Sequence, residues 1–300
     1  MVIPPFAAQL AGQRGEFPTT NLEDYAFEEK FDGMRGLVVF DTDSFGNTRL
    51  ALWNRHGEDK QRLNAQTVLR NELEAMGKAI PALYNGTVLD GELIADSWNS
   101  TMHLAAMSGT NDGDGRLNFI VFDLVYLMGK NLKDQTWTTR RSLLEKVLSP
   151  FVGPKTMVLL SALLPPDKSE LQRIWDAGGE GVIIKRRDAT YEPGGRHYWQ
   201  KLKLIETAEA FILGYTDGQG KYADTIGAVI LGQYYKGKIQ KVTQVSGMTD
   251  EVRRSLTDDN IDDVIEFEHY GKTVNTSYRH PQFKRFRPDK AKEDCTWEAS

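Results

Sequence analysis

The sequence predicts an α+β protein of two domains, a mixed domain followed by a smaller β-barrel domain of the OB type. Its 300 residues correspond to about two domains of ordinary size. Apolar runs alternate with helical patterns up to about residue 205, whereas the remaining segments are almost all strand-like. We therefore predict domains at 1–205 and 206–300, with the boundary between Lys203 and Ala208.

The first domain is predicted to contain seven short strands and three helices. The strands are apolar runs at Tyr25–Lys30, Leu37–Phe40, Ala51–Trp53, Val88–Ala95, Phe119–Leu127, Val182–Lys185 and Tyr198–Leu204. Helical periodicity covers Gln61–Lys78, Arg140–Leu148 and Glu170–Ala177. The last helix has clear end signals, with Asp167 and Glu170 as a capping-box-like pair and Gly178 after its final turn.

The second domain has a different pattern, in which strands dominate. They are predicted at Ala210–Tyr215, Ile226–Tyr235, Lys238–Val245 and Ile265–Tyr270, and one short helix, Asp250–Leu256, is capped by Thr249. Lys236 and Gly237 are predicted to form a hairpin turn. Five or so strands with one helix in about ninety residues are typical of a small Greek-key barrel.

Composition excludes several classes of protein. No apolar run reaches 18 residues, which excludes a transmembrane helix, and the first residues do not resemble a secretory signal. The single cysteine, Cys295, excludes an internal disulfide and multi-cysteine zinc sites, so we expect a reducing cytoplasm. The net charge of −5 is spread along the chain, so nucleic-acid binding would need local basic patches. The densest patch is RHPQFKRFRPDK, for which a solvated tail is the alternative.

One segment, EKFDGMR, places a lysine where a strand ends and a glycine turns the chain. The amine of Lys30 should therefore face a cleft at the strand end. A lysine becomes a nucleophile when desolvation or nearby cations lower its pKa, and Arg35 is one such cation. A surface hairpin with an ion pair is the alternative interpretation.

Other segments supply carboxylates, cations and an aromatic side chain. Glu92 lies in the apolar strand DGELI, and Glu180 begins EGVIIK. Alternation in WQKLK places Lys201 and Lys203 on one face, where an anion would relieve their repulsion. Phe122 in FIVFDLVYL could stack on a base. The alternative for Glu92 is a salt-bridged strand residue. For the two lysines it is a solvated edge strand, and for Phe122 it is a side chain in the core. Mg²⁺ prefers oxygen ligands such as carboxylates and phosphates. Together, the lysine nucleophile, the cations, the carboxylates and the aromatic side chain are therefore typical of an enzyme that transfers nucleotides.

The chain resembles compact, phage-like ATP-dependent DNA ligases of the covalent nucleotidyltransferase superfamily. Six motifs occur in the family's order: EKFDGMR, NRHG, DGELI, FIVFDLVYL, EGVIIK with WQKLK, and RFRPDK. The resemblance implies an ATP-grasp-like ligase adenylation (nucleotidyltransferase) domain followed by an OB-fold β-barrel. One departure is Asn54, where the family more often has serine before the arginine.

The resemblance also implies a role for each matched residue. Lys30 would attack the α-phosphate of ATP and become the lysyl-AMP. The rest of the catalytic set would be Asp32, Lys201 and Lys203. Glu28 would hold the adenine edge and Phe122 would stack on the ring. Glu92 would hold the ribose or a metal, and Glu180 the metal. The expected phosphate-binding residues are Arg35, Arg55, Lys185, Lys201, Lys203, Arg285, Arg287 and Lys290, with Asp289 beside the last three.

The implied activity is ATP-dependent sealing of 3′-hydroxyl/5′-phosphate nicks in duplex DNA, with Mg²⁺ (Mn²⁺ as a substitute), in replication, repair and recombination. A monomer in the cytoplasm of a bacterium or phage-infected host is expected, without a membrane partner. An RNA ligase, an mRNA-capping guanylyltransferase and an inactive OB-fold DNA-binding module remain alternatives. A NAD-dependent ligase is disfavoured because it would need cysteine-rich zinc modules.

Overall fold

The computed structural model of the chain describes residues 1–59, 67–95, 117–153, 155–273 and 277–297. These residues form two compact units, Met1–Leu202 and Lys203–Ser300. No helix in the described part of the chain is long and apolar enough to cross a membrane.

The first unit contains a six-stranded, largely antiparallel sheet. Its strand order is β4-β3-β5-β6-β7, and β8 pairs with β6 in parallel. The strands are β3 (Met34–Thr42), β4 (Thr48–Trp53), β5 (Thr87–Ile94), β6 (Asn118–Leu127), β7 (Lys130–Asn131) and β8 (Val158–Leu160). Strands β3, β5 and β6 are buried over most of their length, which explains their nearly continuous apolar sequences.

A second sheet in the same unit has the order β1-β11-β10-β2-β9. Its strands are β1 (Gly12–Gln13), β2 (Tyr25–Glu29), β9 (Leu163–Leu164), β10 (Gly181–Arg186) and β11 (Trp199–Lys203). Antiparallel pairing sets Glu28 opposite Ile183 and Glu29 opposite Val182. The residues that follow β2 therefore lie beside those that precede β10.

The described residues of the first unit also form three α-helices: α1 (Thr67–Ala79), α2 (Trp137–Leu148) and α3 (Lys168–Asp176). The predicted start of α1, residues 61–66, lies outside the described residues. Asp167 caps α3 as predicted, by accepting a hydrogen bond from the Ser169 amide. The capping box itself does not form, because the Glu170 carboxylate pairs with Arg173 instead.

Two motif glycines are required because other backbone passes close to them. A Cβ atom on Gly33 would lie 2.2 Å from the carbonyl oxygen of Leu93, and one on Gly91 would lie 2.5 Å from that of Ile120. Real Cβ atoms are not found at such distances from carbonyl oxygens. The glycines of EKFDGMR and DGELI thus allow β3, β5 and β6 to pack closely around the turn after Lys30.

The second unit is a five-stranded sheet in the order β14-β13-β12-β15-β18. These strands are β12 (Glu206–Asp217), β13 (Ile226–Tyr235), β14 (Lys238–Val245), β15 (Val264–His269) and β18 (Gln282–Phe286). A two-stranded ribbon, β16 (Lys272–Thr273) with β17 (Ser277–Tyr278), and the helix α4 (Asp250–Ser255) complete it. Thr249 caps α4, and Lys236 and Gly237 both have positive φ in the predicted hairpin turn.

The expectation of a barrel needs correction, because the sheet of the second unit does not close. Among its described residues the edge strands meet at a single parallel bridge, between Ser246 and Gln282. Gly247 follows with φ of +80° and turns the chain away, so the bridge does not extend into a ladder. The basic segment RHPQFKRFRPDK is also more than a solvated tail, because it contains β18, which pairs with β15.

Candidate active site

Lys30 directly follows β2, and its side chain forms an ion pair with Glu180. The Nζ atom lies 2.5 Å from Glu180 Oε2, and the backbone amide of Lys30 donates to the carbonyl of Gly181 at 2.9 Å. The pairing of β2 with β10 brings these residues together although they are 150 positions apart in the chain. The predicted nucleophile and the predicted metal carboxylate are thus in direct contact.

A cavity of about 260 Å³ in the first unit collects most of the predicted site residues. Its walls come from both sheets of that unit. The predicted residues that line it are Glu28, Lys30, Arg35, Arg55, Glu92, Phe122, Lys185 and Lys201. The set combines five cations with two carboxylates and one aromatic ring.

Lys185 and Glu28 form a buried ion pair at the cavity wall. Lys185 Nζ donates to Glu28 Oε1 at 2.8 Å and to the carbonyl of Phe122 at 3.2 Å, and both charged residues are 1% exposed. Burial lowers the pKa of Lys185, and the negative charge of Glu28 opposes that effect. Arg141 Nη1 approaches the same Glu28 oxygen at 4.0 Å. Glu28 is therefore held by charge at the position where the resemblance predicts an adenine contact.

Arg35 forms a bidentate pair with Asp90. Nε and Nη2 lie 2.6 and 2.7 Å from the two carboxylate oxygens, and Asp90 is fully buried. Burial alone would lower the pKa of Arg35, but the pairing with Asp90 more than reverses this effect and raises it. A planar guanidinium fork suits such a site, since two parallel bonds fix its orientation.

Phe122 lies within a cluster of aromatic and cationic groups. Its ring meets Trp199 edge to face, with centroids 5.8 Å apart. The Arg35 guanidinium carbon lies 4.4 Å from the Phe122 ring centre, and Lys185 Nζ lies 4.7 Å from it. Trp199 also lines the cavity. It belongs to the motif WQKLK, in which roles are predicted for Lys201 and Lys203 and none for the tryptophan.

Burial at the cavity wall raises the pKa of Glu92. Desolvation raises its pKa to about 7, while Arg35 and Lys30 act in the opposite direction. Within the described residues no group of three or more potential metal ligands occurs. Mg²⁺ normally uses one or two carboxylates together with substrate phosphates, so Glu92 and Glu180 fit such an ion.

Arg55 is presented by a tight turn that Asn54 organises. The Asn54 side-chain oxygen accepts from the amides of His56 and Glu58, and its nitrogen donates to the Glu58 carboxylate. Asn54, the one departure from the family pattern, therefore acts as a turn-forming residue. Asp32 lies partly buried in the turn between β2 and β3 and is not among the residues that line the cavity.

Three cavity residues lie outside every motif of the sequence that predicts the site. Leu10 and Ala11 belong to an N-terminal segment without a motif, and Arg196 lies on the loop between β10 and β11. The glycine pair before Arg196 was a usable turn signal, but nothing local connects residues 10 and 11 to the site.

Four predicted phosphate-binding residues lie in the second unit. Lys203 begins that unit, and its ammonium group lies 4.9 Å from the Tyr270 ring centre. Arg285 pairs with Glu266, and Lys290 pairs with Glu209. Arg287 contacts Glu209 and Asp289, and Arg287 holds the pKa of Asp289 at about 2.

Comparison with known families matches both parts of the chain to family models. A family model described as the ATP dependent DNA ligase domain matches residues 5–203, and one described as the DNA ligase OB-like domain matches residues 217–287. An adenylation nucleotidyltransferase domain is thus followed by an OB-like domain, which confirms the predicted order.

Individual proteins are similar over most of this chain. The multifunctional non-homologous end joining protein LigD of Mycolicibacterium smegmatis is 28% identical over 98% of this chain, and a DNA ligase of Natronomonas pharaonis is 27% identical over 90%. The chain spans 40% and 53% of the lengths of these two relatives.

Solved structures show the same fold. The ligase domain of M. tuberculosis LigD is 25% identical with a TM-score of 0.52, and 98% of each chain is covered. A Lig E DNA ligase is 21% identical with a TM-score of 0.69, over 95% of this chain and all of that one.

Proposed function

Because the chain belongs to the family of ATP-dependent DNA ligases, we propose that it seals 3′-hydroxyl/5′-phosphate nicks in duplex DNA through a lysyl-AMP on Lys30. The observation that carries this proposal is the position of Lys30, at a strand end in a cavity lined by cations, carboxylates and an aromatic ring. We further propose that residues 1–205 form the adenylation domain and residues 206–300 the OB domain.

In the first step Lys30 Nζ attacks the α-phosphorus of ATP. The phosphorus–nitrogen bond forms, the bond to pyrophosphate breaks, and the amine loses its proton. Only the neutral amine is nucleophilic, so the ion pair with Glu180 must open before attack. A ligand that engages the Glu180 carboxylate would release Lys30 from this ion pair.

The base is proposed to bind beside Glu28 and Phe122. A carboxylate accepts hydrogen bonds from an exocyclic amino group such as that of adenine. Since Lys185 is buried against Glu28, we assign it to holding the Glu28 carboxylate in place through their ion pair. We assign the α-phosphate to Lys201, together with Lys203. We assign both nucleotide phosphate and phosphate at the nick to Arg35 and Arg55.

Glu92 and Glu180 would hold Mg²⁺, or Mn²⁺ in its place, which would neutralise charge on phosphate oxygens. The pKa of Glu92 near 7 makes its carboxylate available above neutral pH and blocks it by protonation below. We propose that Arg285, Arg287 and Lys290 orient the pyrophosphate. Asp32 is proposed as a further member of the catalytic set.

The next two steps return Lys30 and join the strands. The nick 5′-phosphate attacks the α-phosphorus of the lysyl-AMP, which frees the lysine and forms a 5′–5′ pyrophosphate linkage. The 3′-hydroxyl then attacks the 5′-phosphate and releases AMP. The protein contributes positioning and charge stabilisation, as in phosphoryl transfer generally. We propose a monomer that acts in the cytoplasm.

The test is incubation with α-labelled ATP or GTP and Mg²⁺, followed by a denaturing gel and a chase with nicked DNA. An ATP-labelled band that discharges on nicked DNA and yields sealed product supports the proposal. A GTP-labelled band would indicate a capping enzyme, and discharge only on nicked RNA an RNA ligase. No band with either nucleotide would indicate an inactive DNA-binding protein.

A further inference from the structure

A closed ring of hydrogen bonds in the first unit joins Arg35 to three other residues, Asp90, Tyr191 and Gln9. Arg35 donates to both oxygens of Asp90, and its Nη2 atom also donates to the carbonyl of Gln9 at 3.2 Å. The Tyr191 hydroxyl donates to Asp90 Oδ2 at 2.7 Å and accepts from the Gln9 amide at 3.0 Å. The ring therefore joins the N-terminal segment, β3, β5 and the loop before β11.

The ring is shielded from water except on the Arg35 side. Gln9 and Asp90 are fully buried and Tyr191 is 3% exposed, whereas the Arg35 side chain is 18% exposed. Burial, with Asp90 next in importance, raises the pKa of Tyr191 well above 10. The hydroxyl consequently stays protonated and always donates to Asp90. The groups that form the ring are all hydrogen-bonded, namely the Asp90 carboxylate, the Tyr191 hydroxyl and the Gln9 backbone with Arg35. Buried hydrogen bonds of this kind favour one arrangement of the side chains.

The ring also determines which part of Arg35 remains available. A guanidinium has five N–H donors, of which Asp90 and Gln9 take three. Within the described residues no hydrogen bond engages the Nη1 atom, and Arg35 lines the cavity. The Phe122 and Trp199 rings, 4.4 and 5.3 Å from the guanidinium carbon, restrict the tilt of its plane. The two Nη1 donors are left for a ligand.

We propose that Tyr191 and Gln9 are positioning residues that hold the Nη1 edge of Arg35 toward an oxygen atom of the bound nucleotide. This inference rests on the proposed function, because it takes the nucleotide as the cavity ligand. Gln9 acts mainly through its backbone, which its own side chain fixes by accepting from the Glu192 amide at 2.7 Å. Neither residue belongs to a motif that the sequence argument used.

The principal variant is Tyr191→Phe, which removes the hydroxyl group and keeps the aromatic side chain. Without it, Asp90 and the Gln9 amide each lose a partner and Arg35 gains rotational freedom. We expect the Kd for ATP without divalent metal, measured by calorimetry, to rise about tenfold. The KM of self-adenylylation should rise equally, while the rate at saturating ATP changes less than twofold. This split is expected for a contact that is as strong in the ground state as in the transition state.

The matched control is Tyr126→Phe, because Tyr126 packs in the same apolar cluster and lies outside the ring. It should leave Kd and KM within twofold of the wild type. Gln9→Ala releases the Glu192 amide and should raise both about threefold. Gln9→Ala also carries the test if Tyr191→Phe does not fold.

The outcomes separate this inference from the proposed function. Unchanged Kd and KM in both variants would overturn the inference and leave the ligase proposal intact. A matching fall in the saturated rate of Tyr191→Phe and Tyr126→Phe would overturn it too, since that is a general packing effect. A wild type that binds ATP and forms no lysyl-AMP would instead overturn the proposed function, and the Kd values would still test the ring.

Discussion

The Nζ atom of Lys30 lies 2.5 Å from Oε2 of Glu180, a carboxylate whose side chain is only 10% exposed. A side-chain nitrogen held in this way must leave the carboxylate before it can attack a phosphorus atom. The proposed nucleophile is thus restrained by the residue proposed to bind the metal. Catalysis then requires competition for the Glu180 carboxylate, which a bound substrate complex can supply.

Lys30→Ala and Lys30→Arg should both abolish the lysyl-AMP. Arginine can retain the ion pair with Glu180, but its guanidinium does not lose a proton in proteins and is not a nucleophile. The measurement is labelling by α-labelled ATP on a denaturing gel. The matched control is Lys146→Ala, an exposed lysine on α2, which should label like the wild type. Retained labelling of Lys30→Ala would sink the assignment of Lys30.

Glu92→Gln should stabilise the protein at high pH. The pKa of Glu92 is raised to about 7, so the folded state holds a proton that the unfolded state loses near pH 4.5. Stability therefore falls as pH rises from about 4.5 to 7, and the variant lacks this loss. We expect a gain of roughly 2 kcal/mol at pH 8.5, after allowance for solvent at the cavity wall.

Urea unfolding of wild type and Glu92→Gln at pH 4 and pH 8.5 measures this difference. At pH 4 the wild-type carboxyl is protonated in both states, and the two proteins should differ by less than about 0.5 kcal/mol. Equal stabilities at pH 8.5 would mean that water reaches Glu92 freely.

Arg140→Met should strongly destabilise the first unit. Arg140 and Asp123 form a fully buried bidentate pair at 2.7 and 2.9 Å, and the variant leaves a buried carboxylate unpaired. We expect a loss of about 3–5 kcal/mol in the free energy of unfolding, measured with urea. The double variant Asp123→Leu/Arg140→Met should lose less, since no charge is stranded. A double loss equal to or above the single loss would contradict this account.

Arg55→Ala should weaken binding to nicked DNA and reduce its salt dependence. Each phosphate neutralised by a side chain releases counterions, so removing one contact should lower the slope of log K against log salt by about one. Fluorescence anisotropy with a nicked duplex at several salt concentrations measures the slope. Lys146→Ala, as an exposed cation elsewhere, should leave it unchanged. An unaltered slope for Arg55→Ala would remove Arg55 from the DNA contacts.

The sequence predicts best those features that depend on neighbouring residues. Strands β13 and β14 have the predicted bounds, because apolar runs flank the turn at Lys236 and Gly237. Lys30 could be located because it follows a predicted strand and lies just before Gly33, where the chain enters the next strand. Most charged site residues follow from the ordered motifs, whose strands the two sheets bring to one cavity.

Features that depend on distant partners could not be predicted. The hydrogen bond from Gln9 to Tyr191 spans 182 positions, and no local pattern marks either end. Strand β18 was missed because QFKRF is rich in charge, and its place in the sheet depends on Glu266, which pairs with Lys284 and Arg285. The burial of Lys185 also depends on Glu28, 157 positions away.

Among the described residues of the second unit, one bridge joins the edge strands of the sheet, between Ser246 and Gln282, so the sheet should open more easily at this edge than at its centre. Strand β12 is hydrogen-bonded to a strand on each side, β13 and β15. The edge strands β14 and β18 each form a ladder of hydrogen bonds with one neighbour, β13 and β15 respectively. Amide hydrogen exchange should therefore be slowest in β12 and fastest beside the bridge. The edge strands β14 and β18 can therefore separate while the central strands stay folded, so local unfolding of this unit should begin between them.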